Sequence, residues 1–186
     1  ISIYLCGSED EFVKLMNEKA EELGLENTHF TNASGLYDPN HYSTATDIAM
    51  LMSAVMENDT CREILGTYQY TTSATEQHPK GIPLESTMFS RMYGNEVTGI
   101  TIEAGKTGYT DEAGHCLVSY ATDADGKQFI AVTAKGPTYW RAVFDTFAIY
   151  GLVHDGYPMP DNLAAQETDE NGSAIDPTET STAPAA

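Results

Sequence analysis

Gly99-Ile100-Thr101-Ile102-Glu103-Ala104-Gly105-Lys106-Thr107-Gly108 is the stretch on which the fold turns. Apolar and polar residues alternate along it, the period-2 mark of a strand with one buried face. Two more strand patterns follow at residues 115–122 and 128–135, with no helical segment between them. Asp123-Ala124-Asp125-Gly126 joins the last two and is a strong hairpin signal, because Asp-Gly readily takes positive φ. Asp111-Glu112-Ala113-Gly114 is the turn that links the first two. Three consecutive antiparallel strands are therefore expected, and the first ends in an unusual triplet. Lysine offers a compact cation and threonine a hydroxyl donor beside it. Glycine removes the Cβ, so a ligand can lie against the strand backbone. Alone, the same triplet is an ordinary strand-to-turn step, and its surroundings must decide.

Upstream, helical spacing takes over. Ser8-Glu9-Asp10-Glu11 matches the Ser-x-x-Glu capping box, with acids where the helix dipole favours them. Phe12, Leu15, Met16, Lys19, Ala20 and Leu23 follow as a stripe, and Gly24 supplies a left-handed stop, which predicts four turns of amphipathic helix. A second helix is expected from about Thr44, with Ile48, Leu51, Met52, Val55 and Met56 on one face and its end at Asn58-Asp59. Thr60-Cys61-Arg62-Glu63 repeats the capping pattern and predicts a third helix closed by Gly66. Between the first two, Asn32-Ala33-Ser34-Gly35-Leu36-Tyr37-Asp38-Pro39-Asn40 reads as an ordered loop of turn formers. Residues 68–72 alternate like a strand, residues 73–80 form a surface loop, and Tyr93-Gly94-Asn95 is a Gly-Asn turn. After the Gly136-Pro137 break, Tyr139, Trp140, Val143, Phe144, Phe147 and Gly151 predict a last helix whose aromatic stripe faces the sheet.

Composition narrows the partners. The 186 residues allow one domain, and 41% hydrophobic content supports a packed body. Formal net charge is −19, with 28 acids against 9 bases. Six of those acids (Asp161, Glu167, Asp169, Glu170, Asp176 and Glu179) follow Pro160, where no lysine or arginine occurs, yet the body remains acidic without them. Such a surface repels phosphate backbones and anionic lipid, so nucleic acid is not an expected partner. Cys6, Cys61 and Cys116 cannot all pair within one chain and read as small buried hydrophobes. No Cys-x-x-Cys or histidine cluster points to a metal, and no cofactor is expected. His115 opens a strand beside the triplet, facing either the pocket or a strand-end partner. The first residues, Ile1-Ser2-Ile3-Tyr4-Leu5-Cys6, have no basic flank and too short an apolar run for a signal peptide or membrane span.

Four segments carry a resemblance: residues 12–25, Thr28-His29-Phe30-Thr31-Asn32-Ala33-Ser34-Gly35-Leu36, His41-Tyr42-Ser43-Thr44-Ala45-Thr46-Asp47-Ile48-Ala49, and Gly105-Lys106-Thr107-Gly108-Tyr109-Thr110-Asp111-Glu112-Ala113-Gly114-His115-Cys116-Leu117-Val118. In this order they resemble the serine-type D-alanyl-D-alanine carboxypeptidases, the low-molecular-mass penicillin-binding proteins of the bacterial cell wall, over residues 7–153. The resemblance implies an α/β (α+β) fold of the β-lactamase/DD-peptidase type, an antiparallel sheet with flanking helices, present here in part. That family's nucleophile lies in a Ser-x-x-Lys motif followed by a Ser-x-Asn element, both upstream of what is matched. Here Ser8 is followed at the third place by Glu11, Ser53 by Met56, Ser73 by Glu76 and Ser90 by Tyr93. No serine has lysine there, and Ser-x-Asn does not occur. Residues 1–160 are thus expected to be the carboxyl-terminal part of a catalytic domain whose other part supplies further strands of the same sheet. Ile1 to Cys6 resembles the last turns of the helix after Ser-x-Asn.

The resemblance implies removal of the terminal D-alanine from peptidoglycan pentapeptides through an acyl-serine intermediate, the attack that β-lactams trap. In that chemistry Lys106 would supply positive potential for the substrate's carboxylate and Thr107 a hydroxyl. Gly108 would let the peptide lie strand-like on the edge, and the backbone N–H of Tyr109 would be one oxyanion donor. The lysine's Coulomb term is about 4 kcal/mol at roughly 4 Å in an effective dielectric of about 20, enough to select a free carboxylate. Some relatives carry histidine where Tyr109 stands, and Glu103 reads as a structural partner rather than a base. The implied location is extracytoplasmic, at the cell envelope. Two other readings stay open: a β-lactamase of the same superfamily, though the 32–36 and 41–49 segments match the carboxypeptidases better, and a non-catalytic wall-binding protein that has lost its nucleophile.

After Pro158-Met159-Pro160 large apolar residues almost vanish. Residues 161–186 bury too little area to offset ordering entropy and are expected to be an acidic disordered tail or linker. Amide hydrogen exchange should therefore find no protection at 161–186 while residues 100–109 and 115–135 exchange slowly. Equal protection in tail and strands would overturn this assignment.

Overall fold

The computed structural model describes residues 1–92 and 97–154. The Tyr93-Gly94-Asn95 turn and the 161–186 tail lie outside them. A short helix α1 (Ser2–Cys6) ends where Gly7 turns left-handed, at φ 81. In α2 (Glu9–Glu22) the Ser8 hydroxyl accepts from the Glu11 N–H at 3.1 Å, and Gly24 takes φ 72 past the end. Phe12, Met16, Ala20 and Leu23 turn inward, whereas Leu15 and Lys19 of the expected stripe stay exposed.

The long loop after α2 is ordered by side chains acting as backbone partners. The Asn17 amide donates to the Phe30 carbonyl and its oxygen accepts from the Phe30 N–H, both at 2.8 Å. Asn32 Oδ1 accepts from the N–H groups of Ser34 and Gly35, an Asx turn. Asp47, only 4% exposed, accepts from Asn27 N at 2.8 Å and Thr28 Oγ1 at 2.7 Å, tying the loop to the first turn of α3 (Ala45–Met56). The Thr28 hydroxyl above all, with the Asn27 N–H, holds the Asp47 carboxyl below its ordinary range, against the opposing effect of burial. Helix α3 starts where its sequence implies, and the Thr44 hydroxyl caps it by accepting from the Asp47 N–H. The next helix, α4 (Asp59–Gly66), begins earlier than its sequence implies: Asn58, not Thr60, is the cap, accepting from Cys61 N at 3.0 Å. Asparagine is the stronger cap and leaves Thr60 inside the first turn.

Strands β1 (Gln69–Thr71) and β2 (Pro83–Glu85) make a small exposed hairpin around the 73–80 loop, and α5 (Phe89–Met92) is one turn of helix. Then come β3 (Ile100–Thr110), β4 (Gly114–Asp123) and β5 (Gln128–Gly136), an antiparallel sheet in the order β3-β4-β5, followed by α6 (Tyr139–His154). At the β4–β5 turn, Asp123 Oδ1 accepts from Asp125 N and Lys127 N while Gly126 takes φ 79.

Helices cover both faces of this sheet. On one, Leu117 packs with Met88, Met92, Ala142 and Val143, and Ala121 and Ala131 pack with Ile100 and Tyr150. On the other, Ala104 and Tyr120 meet Met52 and Met56, with Val118 and Ile130 beside them. Each fully buried Leu, Val or Met contributes roughly 1.5–3 kcal/mol. The mixed helix-and-sheet architecture agrees with the expected fold class.

Two expectations on packing need correction. The sheet-facing side of α6 is Ala142, Val143, Thr146, Phe147 and Tyr150, while Tyr139, Trp140 and Phe144 are 41%, 41% and 50% exposed. The buried Tyr150 hydroxyl bonds Ser119 Oγ (2.9 Å) and Ser119 O (3.1 Å), which fixes the helix rotation. The three cysteines are free but half-buried rather than buried.

Two outcomes follow. Gly105 has no room for a side chain: a Cβ there would strike Met88 Sδ and stand 2.5 Å from the Val118 carbonyl oxygen. Gly105→Ala should cost about 1–3 kcal/mol and lower Tm by about 3–10 °C in calorimetry; an unchanged Tm would refute this contact. Because the folded-state pKa of Asp47 is depressed, its contribution is complete above the unfolded value near 3.8 and is lost as pH falls through the folded one. Urea midpoints of the native chain and Asp47→Asn should therefore differ at pH 7 by a gap that holds down to about pH 4 and narrows only as the pH falls further. A gap that does not narrow in that stronger acid would contradict the pairing.

Candidate active site

The triplet lies on β3, an outer strand of the three-stranded sheet, so one side of its backbone is not paired within it. A β-bulge decides which way its side chains point. The β3–β4 register runs Ile102↔Ala121 and then Ala104↔Tyr120, leaving Glu103 as the extra residue. Without it Lys106 would fall on the same face as Ile100 and Ile102, under α6. With it, Ala104 and Lys106 point to the α3/α4 side. Thr122 Oγ1 donates to the Glu103 carboxylate at 2.5 Å, and α4 ends against the bulge so closely that a Cβ at Gly66 would stand 2.9 Å from the Glu103 carbonyl oxygen.

Beyond the bulge the residues divide by role. Gly105 is packed under Met88. Lys106 is exposed, and its ammonium donates to the Thr107 carbonyl. Thr107 Oγ1 lies 2.6 Å from Thr87 Oγ1. A Cβ at Gly108 would meet nothing within 4 Å, so the edge is open there. Tyr109 stacks on His115, its cross-strand partner, with centroids 4.3 Å apart. Its hydroxyl donates to Asp111 at 2.6 Å; that bond, followed by the carboxylate's charge, raises the phenol's pKa and keeps the ring neutral and fixed. His115 also meets Tyr139 edge-on at 5.9 Å, so it is an aromatic partner at a strand end.

Lys106 and Thr107 wall a cavity of about 620 Å³ between α4, the β1–β2 hairpin and β3, with Ile64, Tyr70 and Leu84 on its apolar side. Such a hollow can take an extended chain whose carboxylate meets the ammonium and a hydroxyl. Ser86 lines it too, but its hydroxyl accepts from Phe89 N at 3.4 Å as a cap. No group of three or more potential metal ligands occurs among the described residues. The structure thus places Lys106, Thr107, Gly108 and Tyr109 side by side on one open edge. Thr87 and Arg91 escaped the sequence reading. The Arg91 guanidinium donates to the Thr87 carbonyl and sits 4.6 Å over the Tyr139 ring. Nothing in the Ser86-Thr87-Met88 sequence signals that Thr87 faces Thr107.

Comparison with known proteins agrees with this geometry. The family model described as D-alanyl-D-alanine carboxypeptidase matches residues 1–138. DacF of Bacillus subtilis is 37% identical over 119 residues, covering 63% of this chain and 28% of the relative. DacA of Haemophilus influenzae is 32% identical over 139 residues, covering 73% and 32%. The chain therefore spans about a third of the length of these relatives. Among solved structures, penicillin binding protein 5 from H. influenzae superposes with TM-score 0.67 at 28% identity, over 82% of this chain and 42% of that one. The Streptomyces K15 DD-transpeptidase gives 0.66 at 28%, over 77% and 54%. With the triplet on an open edge strand and about three-quarters of its length under one family model, the chain belongs to the D-alanyl-D-alanine carboxypeptidase family.

Proposed function

We propose that this chain forms the carboxylate-binding side of a serine D-Ala-D-Ala carboxypeptidase that trims pentapeptide stems of peptidoglycan at the cell envelope. The observation that carries the reading is the open edge at Gly108 beside Lys106 and Thr107, in a chain of this family. Lys106 attracts the terminal carboxylate and the Thr107 hydroxyl, held by Thr87, donates to it. The stem lies as an added strand along β3, and the Tyr109 N–H receives the oxyanion as the acyl-serine forms. β-Lactams occupy the same edge as substrate mimics. No serine of this sequence is followed by lysine at the third place, so the acylating serine comes from residues outside it. Residues 1–160 are then the downstream part of one catalytic domain and 161–186 a linker.

The same missing serine favours a second reading, a wall-binding protein without catalysis. The two diverge in a polypeptide that joins this sequence to its own Ser-x-x-Lys and Ser-x-Asn elements. The 186-residue chain alone should take no covalent label from a fluorescent penicillin, whereas the joined protein should label stoichiometrically. In it, Lys106→Ala should slow acylation by about 10²–10³-fold, the equivalent of about 3–4 kcal/mol, with Tm nearly unchanged. Lys106→Arg should recover only part, since a planar fork replaces a point charge. Gly108→Ala should also slow acylation without lowering Tm, because its Cβ fills space meant for ligand. Intact acylation with a sharply lower Tm in Lys106→Ala would make the triplet a structural strand end.

A further inference from the structure

Five rings run in unbroken contact from the Lys106 edge to the outer side of α6. Tyr109 lies on His115 at 4.3 Å and His115 meets Tyr139 at 5.9 Å. Tyr139 leans on Trp140 at 5.2 Å, and Trp140 stacks on Phe144 at 6.1 Å with planes only 19° apart. The core does not need them: α6 binds the sheet through Ala142, Val143, Thr146 and Tyr150, and Tyr109 is itself 57% exposed. Contiguous aromatic area that this chain leaves uncovered is available to a partner the chain does not itself supply.

We propose that this run of rings binds the sugar strand from which the peptide stem hangs, so that the substrate is the polymer-borne stem rather than free peptide. The inference rests on the carboxypeptidase reading. With the carboxylate at Lys106 and Thr107 and the scissile carbonyl at the Tyr109 backbone, the preceding stem residues leave the edge beyond Tyr109, where the rings begin. Trp140 and Phe144 are near-parallel and half exposed, and their outward π faces carry negative potential, suited to the C–H bonds on a pyranose face. Polar partners for sugar hydroxyls flank it: the Arg141–Asp145 ion pair at 2.8 Å on the same helix, and Asp111 beside Tyr109. A lipid surface fits less well, because the chain carries −19 and acidic groups border the rings.

Trp140 is the only tryptophan in the sequence, so its emission reports on this surface directly. The probes are whole sacculi and peptide-free glycan strands stripped of their stems by an amidase. The strands should change Trp140 emission saturably, and the chain should pellet with sacculi. Trp140→Leu and Phe144→Leu keep apolar bulk but remove a ring; each should weaken pelleting at least about tenfold, with Tm unchanged. Lys106→Ala should leave binding of stripped strands intact, because these carry no stem. Glycan binding by a joined protein that takes no penicillin label would sink the carboxypeptidase reading and leave the sugar surface standing. Unchanged emission with equal pelleting of the Leu variants would overturn the proposal whatever Lys106 does. A response to phosphatidylglycerol vesicles without one to glycan would assign the rings to lipid instead. Dimerisation abolished by Phe144→Ser, again without a glycan response, would assign them to a second copy of the chain, and loss of iodide quenching of Trp140 in the joined protein would assign them to the rest of the catalytic domain; any of these results overturns the sugar assignment.

Discussion

One extra residue in β3 governs the arrangement of everything around the open edge. A strand shows its side chains to alternate faces, so Ile100 and Ile102 would normally commit Ala104 and Lys106 to the same buried side. Glu103 breaks that parity. The strand begins by filling the core under α6 and ends by presenting its lysine toward α3 and α4, and no other change in the chain is needed. The bulge is secured from two directions, by Thr122 through the Glu103 carboxylate and by the close approach of α4 at Gly66. A carboxylate placed three residues before a lysine on a strand invites a catalytic reading; its place in the bulge gives it a mechanical one.

Local chemistry was legible in the sequence wherever it depended on near neighbours. Ser8, Thr44, Gly24 and the Asp123–Gly126 turn act within a few residues of themselves, and each does what its residue type predicts. The three strands and the triplet were legible for the same reason, since alternation is a local pattern. What escaped depends on distance. The bulge needs β4 for its definition, and Thr87 meets Thr107 only because the β1–β2 hairpin brings it there. The rotation of α6 was misread because an apolar pattern of aromatics outweighed a single tyrosine. Yet it is the Tyr150 hydroxyl, with a buried partner on Ser119, that cannot be turned away from the sheet without leaving polar atoms unpaired. Asn58 in place of Thr60 is a smaller case, in which two capping patterns overlapped and the stronger acceptor prevailed.

The helices before the sheet are held by a different kind of contact. Asn17, Asn32 and Asp47 each substitute a side-chain amide or carboxylate for a backbone partner, so the long loop between α2 and α3 is ordered by these and by one backbone bridge, His29 with Tyr42, rather than by a sheet or a large apolar cluster of its own. Such contacts are directional and satisfy otherwise orphaned backbone groups, which makes them specific even where they contribute little net stability. The acidic surface and this polar scaffold are compatible: few lysines are available for pairing, and order is obtained from neutral and carboxylate acceptors instead.

The turns between β3, β4 and β5 are short, and α6 begins only three residues after β5. Closing such loops costs little chain entropy, so the sheet and the helix on its α6 face can assemble from a single run of adjacent residues. The opposite layer, α3 and α4, comes from far earlier in the chain and must be brought to it. The edge that carries Lys106 therefore belongs to a unit assembled from adjacent residues, whereas the α4 wall it faces across the cavity has to be brought to it from earlier in the chain.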